Sequence, residues 1–177
     1  GDVAVQTFNH PGLAEKLFGD TPKKFPPTHR DIVIFSDGSA VLGLRKEKGR
    51  DAMWPVSEGK RILLKWFGGI DANIGFSDTM ALWRAFDASK NPEEKTRLMH
   101  QIAGKIAADV VEYVQNNKGS GIDTAVMLED IASPVCFLVE QKLNSMGIST
   151  IHDDQHGTAI VFAGAMLRAA KETGRDI

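Results

Sequence analysis

The 177-residue sequence has one cysteine, Cys136, which excludes an intrachain disulfide and is the usage of a reducing, cytoplasmic compartment. It has no apolar run near the ~20 residues of a membrane-spanning helix. Its first residues, GDVAVQTFNHPG, carry neither the basic start nor the apolar centre of a secretory signal. It has no surplus of positive charge: 21 Lys and Arg stand against 23 Asp and Glu, a formal net charge of -2, which argues against a nucleic-acid binder. Tyrosine occurs once, as Tyr113. There is no G-x-G-x-x-G, so the phosphate-binding fingerprint of a dinucleotide fold is missing. Internal repeats and low-complexity stretches are missing too.

What remains is 42% hydrophobic and 25% charged, the balance of a globular domain large enough to bury its own core. Both ends read as protein interior, which predicts one domain of a longer polypeptide; a complete small protein is the alternative.

From Thr28 onwards, strand-like and helix-like segments alternate. DIVIFSDGS (31–39) is a β-branched run closed by Asp-Gly, hence a strand and a turn. VSEGKRILLKWFGG (56–69) has apolar residues at helical spacing and ends on two glycines. IDANIGFS reads as a short strand and loop. Asn91, Pro92 and two glutamates start a long helix with Leu98, Ile102, Ile106, Val110 and Val114 on one face. TAVMLED (124–130) is a strand ending in two acids, and SPVCFLVEQKLNSMG is a helix with Ser133 as N-cap. ISTIHDD is the next strand. GTAIVFAGAMLRAAKETG is an apolar helix, and its small residues predict close packing. The stretch 18–30 and the basic run RKEKGRD (45–51) read as loops. The order predicts an α/β fold, a mostly parallel sheet with helices on both faces.

Ligands gather outside the carboxyl ends of parallel strands. Glu129 and Asp130 sit at one such end, and Asp153 and Asp154 at another, one βαβ step later. If the strands are neighbours, ~5 Å apart, four carboxylates converge. A divalent cation relieves that repulsion, and hard oxygen ligands favour Mg²⁺ or Mn²⁺. The plainer alternative is that the acids cap the following helices. His152 and His156 have zinc-ligand spacing, but Gly157 and Thr158 place the helix start after them, so they are expected to orient carboxylates or cap the helix.

LEDIASPVCFLVEQKL followed by IHDDQHGTAIVFAGAML resembles the signature of the malic enzymes, particularly their bacterial branch. FSDGSAVLGL and PVSEGKRILLKWFGGIDA resemble two further blocks in the same order. The resemblance implies oxidative decarboxylation of L-malate to pyruvate and CO₂, with NAD or NADP and a divalent metal. It implies that this chain is the substrate and metal half, with a Rossmann nucleotide-binding domain beyond Ile177. Glu129, Asp130 and Asp154 would be the metal ligands, Lys60 the base, and Asp153 a neighbour that tunes it. Burial lowers a lysine pKa towards neutrality, while a nearby Asp works against this. The family's habit implies a homodimer or larger assembly, a small-molecule substrate, and neither nucleic acid nor membrane as partner.

The sequence departs from the family in FNHPGLAEKL. Asn9 stands where the family has a tyrosine that protonates the enol, and His10 where it has threonine. RKEKGRD replaces a glycine-rich loop. Either His10 takes over as the acid, or the enzyme is slower or acts on another 2-hydroxy acid, or the domain binds a metabolite without catalysis. The retained lysine and acids favour an enzyme.

Overall fold

The computed structural model describes residues 30–41, 49–68, 70–117 and 123–174. Four strands form one parallel sheet: β1 (Arg30–Ser36), β2 (Ala72–Phe76), β3 (Asp123–Leu128) and β4 (Thr150–His152), in the order β2-β1-β3-β4. All three pairings are parallel, so every carboxyl end lies along one edge of the sheet. The helices are α1 (Gly49–Leu63), α2 (Met80–Ala88), α3 (Pro92–Asn117), α4 (Ser133–Ser145) and α5 (Thr158–Thr173). Short π-helical turns, Leu64–Gly68 and Asp153–Gly157, extend α1 and lead into α5.

The strands alternate as a pleated sheet requires. Val33, Phe35, Val126 and Leu128 enter a core filled by Ile102, Ile106 and Val110 of α3 and Val135, Val139 and Leu143 of α4. Ile34, on the other face of β1, is fully buried too. The five residues expected on one face of the long helix are all buried. Cys136 lies in this core, and burial pushes its thiol up, out of the range of a reactive cysteine.

Several local expectations need correction. The helix before β2 begins at Gly49, ahead of the stretch 56–69 expected to be helical, and runs through Pro55. A proline forgoes one backbone bond, and the amphipathic face carries the helix past it. Part of the run expected as a loop, 49–51, is therefore helical. α2 had no expected counterpart. Ala132, not Ser133, occupies the N-cap of α4, and its carbonyl accepts from the Val135 and Cys136 N–H groups. Helical winding towards α5 starts at Asp153, ahead of Gly157. α5 does not pack closely within this chain: Val161 is 73% exposed and Phe162 66%.

Candidate active site

The sheet assembles the site. β3 and β4 are hydrogen-bonded neighbours with Leu128 opposite His152, so the acids that follow each strand meet. Oxygen atoms of Glu129, Asp130 and Asp154 lie within 4.8 Å of one another. This is the group of carboxylates, among the described residues, with the geometry to hold a metal ion. Glu129 and Asp130 are buried, and among the described residues Glu129 Oε2 and Asp130 Oδ2 have no hydrogen-bond partner.

Lys60 reaches the same place from α1. Its Nζ forms a close ion pair with Asp153 Oδ2 and lies 3.3 Å from Glu129 Oε1. With every group ionised, four carboxylates against one ammonium would leave three negative charges in one pocket. At an effective dielectric of ~20, each like-charge pair about 5 Å apart costs about 3 kcal/mol. Desolvation, reinforced by Asp153, Asp154 and Asp130, pushes the Glu129 carboxyl well above the usual range although Lys60 pulls it down. Burial, with Asp154 beside it, raises Asp130 to about 6. Asp154 is lowered instead, because the His152 ring and the Asp130 N–H favour its charged form. Burial pulls the Lys60 pKa down, but Asp153 and Glu129 outweigh it, so the net shift is upward. Of the two opposing influences expected on this lysine, the nearby acids outweigh burial, because Asp153 and Glu129 lie closer than a sequence can show.

A hard divalent cation suits this donor set: oxygen ligands only, two orphaned carboxylate oxygens, and unbalanced negative charge. The acids do not act as side-chain caps; no cap hydrogen bond forms at the start of α4 or of the turn before α5. Zinc coordination by the histidine pair finds no support. His152 Nε2 contacts Asp154 Oδ2 at 3.3 Å, whereas His156 Nε2 turns to Glu140 Oε1 at 3.0 Å. Lys65 is exposed and pairs with Asp71 at 3.1 Å. His10 and Asn9 lie outside the described residues. Tyr113 meets the Phe35 ring edge-on, at 6.5 Å between centroids, in the core beneath α3.

The sequence reading missed Asp37, at the end of β1. Its Oδ2 accepts from Thr79 Oγ1 and Trp83 Nε1, both at 2.8 Å, and its Oδ1 from the Ser39 N–H at 3.0 Å. An acid closing an apolar strand was the signal that singled out the other two strand ends, and it is present here as well. Asp130 carries a second unread feature, a positive φ of 50°. For a residue with a side chain this costs about 1–3 kcal/mol and survives only where the surroundings enforce it.

Comparison with known proteins bears on the family and the fold. The family pattern described as the malic enzyme N-terminal domain matches residues 15–144. The probable NADP-dependent malic enzyme of Rickettsia prowazekii is 37% identical over 147 residues, 82% of this chain and 16% of that protein. The bifunctional malic/malolactic enzyme of Bacillus subtilis is 32% identical over 173 residues, 94% of this chain and 35% of that protein. The crystal structure of the NAD-dependent malic enzyme of Thermotoga maritima superposes with a TM-score of 0.58 at 32% identity, over 84% of this chain and 32% of that one. The chain thus spans between 16% and 35% of the length of these relatives. With a family match over most of its length and a fold shared with a solved malic enzyme, this chain belongs to the malic enzyme family, through that family's N-terminal domain.

Proposed function

We propose that this chain is the substrate- and metal-binding half of an enzyme that oxidises and decarboxylates L-malate with NAD or NADP. The observation that carries the reading is Lys60, set between Asp153 and the same Glu129 that belongs to the three-carboxylate group. A base and a cation site therefore share one edge, as removal of a hydroxyl proton beside a polarised oxygen requires.

Glu129, Asp130 and Asp154 would hold Mg²⁺ or Mn²⁺, which when bound supplies Lewis-acid polarisation of the substrate oxygens. Lys60 takes the malate hydroxyl proton as hydride leaves the carbon. Asp153 orients the ammonium and relays its proton. His10 returns a proton to the enol carbon in place of the family's tyrosine. The nicotinamide cofactor is held largely by residues outside this chain, and relatives named for NAD and for NADP both occur. A homodimer or larger, in the cytoplasm, is the assembly proposed.

The test is turnover by the intact protein with malate, Mn²⁺ and either nucleotide, beside Lys60→Ala. Loss of a general base lowers kcat by roughly 10²–10⁴-fold. An undiminished Lys60→Ala rate removes Lys60 as the base. Asn9 favours a second reading, a metabolite-binding domain without catalysis. Metal-dependent malate binding with no turnover would establish it.

A further inference from the structure

We propose that Ser39 is a positioning residue for the cation site: the turn it anchors holds Asp130 in the left-handed conformation that aims its carboxylate at Glu129 and Asp154. The inference rests on the metal-binding reading above and adds a residue outside the carboxylate group.

Asp130 stands alone among the described non-glycine residues in having a positive φ. Its backbone is pinned on both sides. The Asp130 N–H donates to Asp154 Oδ2 at 3.1 Å. Its carbonyl accepts from the Ala40 N–H at 2.9 Å. One residue earlier, the Glu129 N–H donates to the Phe35 carbonyl at 3.0 Å. Two residues later, the Ala132 N–H donates to Ser39 Oγ at 3.0 Å. Three of these four bonds come from the end of β1 and its turn. That turn is anchored in its own right. Ser39 is buried, its N–H is held by Asp37, and Asp37 is locked to Thr79 and to Trp83 of α2. The connection therefore runs from α2 through Asp37 and Ser39 to the two residues flanking Ile131. It also accounts for the third strand-end acid: Asp37 spends its oxygens on the turn and does not join the carboxylate group.

Of these contacts, the Ser39 hydroxyl is the one that a side-chain change removes cleanly. Without it the Ala132 N–H loses its partner, and the segment 130–132 is free to leave the left-handed geometry, carrying the Asp130 carboxylate away.

The experiment is a pair of double-mutant cycles on the intact protein without nucleotide. In the first, free Mn²⁺ is measured by electron paramagnetic resonance. Ser39→Ala is expected to weaken Mn²⁺ binding on the order of tenfold, as loss of an outer-shell partner does. Ser39→Thr, which keeps the hydroxyl, restores it. In an Asp130→Asn background Ser39→Ala adds less than about a twofold loss, because the effect runs through residue 130. Equal losses in both backgrounds would overturn the proposal. The second cycle reads metal-free Tm. Asp130→Gly raises Tm by about 2 °C or more, since glycine adopts positive φ freely. The rise is largely absent when Ser39 is already alanine. An equal rise in both backgrounds overturns the positioning role. Should the wild type bind no Mn²⁺, the metal reading fails while the Tm cycle still decides whether Ser39 holds Asp130.

Discussion

Lys60 Nζ is paired with Asp153 Oδ2 and stands 3.3 Å from Glu129 Oε1, although Lys60 and Glu129 are 69 positions apart in the chain, with β2 and β3 between them. One ammonium thus links the proposed base to the proposed cation ligands. The net effect of its partners is to hold it protonated in the metal-free protein. Asp153 makes the strongest of these attractions, so its removal has a defined sign. In Asp153→Asn the Lys60 pKa falls, and the acid-side limb of kcat/KM moves to lower pH. The maximal rate drops as well, because the ammonium loses its orientation. A limb that stays in place would mean that Asp153 does not tune Lys60.

Glu129→Gln separates metal binding from stability. In the metal-free protein the folded-state pKa of Glu129 lies above its ordinary value of 4.5. The folded form then binds more protons than the unfolded form, so stability is lost as pH rises from the ordinary carboxylate range through the raised value. Glutamine cannot ionise and escapes that loss. Metal-free Glu129→Gln should melt higher than wild type at pH 8, by on the order of 1 kcal/mol, and about equally at pH 5. Mn²⁺ should stabilise wild type but not the variant. Differential scanning calorimetry with and without Mn²⁺ reads both, and a variant melting lower at pH 8 contradicts the repulsion.

Gly75 faces Phe35 across the β1–β2 register, and a Cβ there would overlap the Phe35 ring carbons. The ring is buried and Tyr113 meets it edge-on. Gly75→Ala should therefore cost about 1–3 kcal/mol as an overpacked core does. Urea unfolding measures it. A neutral result would show that the ring moves without penalty.

His10 is assigned a step that oxaloacetate reduction does not contain, protonation of the enol carbon. His10→Gln should slow pyruvate formation from oxaloacetate while leaving reduction of oxaloacetate nearly intact. Asn9→Tyr should partly rescue the variant by restoring the family's own acid. Equal losses in both half-reactions would make His10 a structural residue and remove it as the acid.

Much of this protein was legible along the chain. Alternation of apolar strands with capped or glycine-ended helices marks a parallel α/β sheet, because period and punctuation are local properties. The acid pairs after β3 and β4 are local as well, and so is the apolar face of α3. Lys60 could be named only through family resemblance, since nothing in SEGK distinguishes a buried lysine from a surface one. Tertiary structure decided the rest. Strand order made β3 and β4 neighbours and turned two acid pairs into one group of charges. The distances among those charges set the direction of the Lys60 shift, against the expectation from burial alone. The left-handed Asp130 and its bonds to Ala40, and of Ala132 to Ser39, join segments some 90 residues apart. Such bonds have no period and no spacing rule. They exist only once parallel pairing of β1 with β3 has laid the two strand ends side by side.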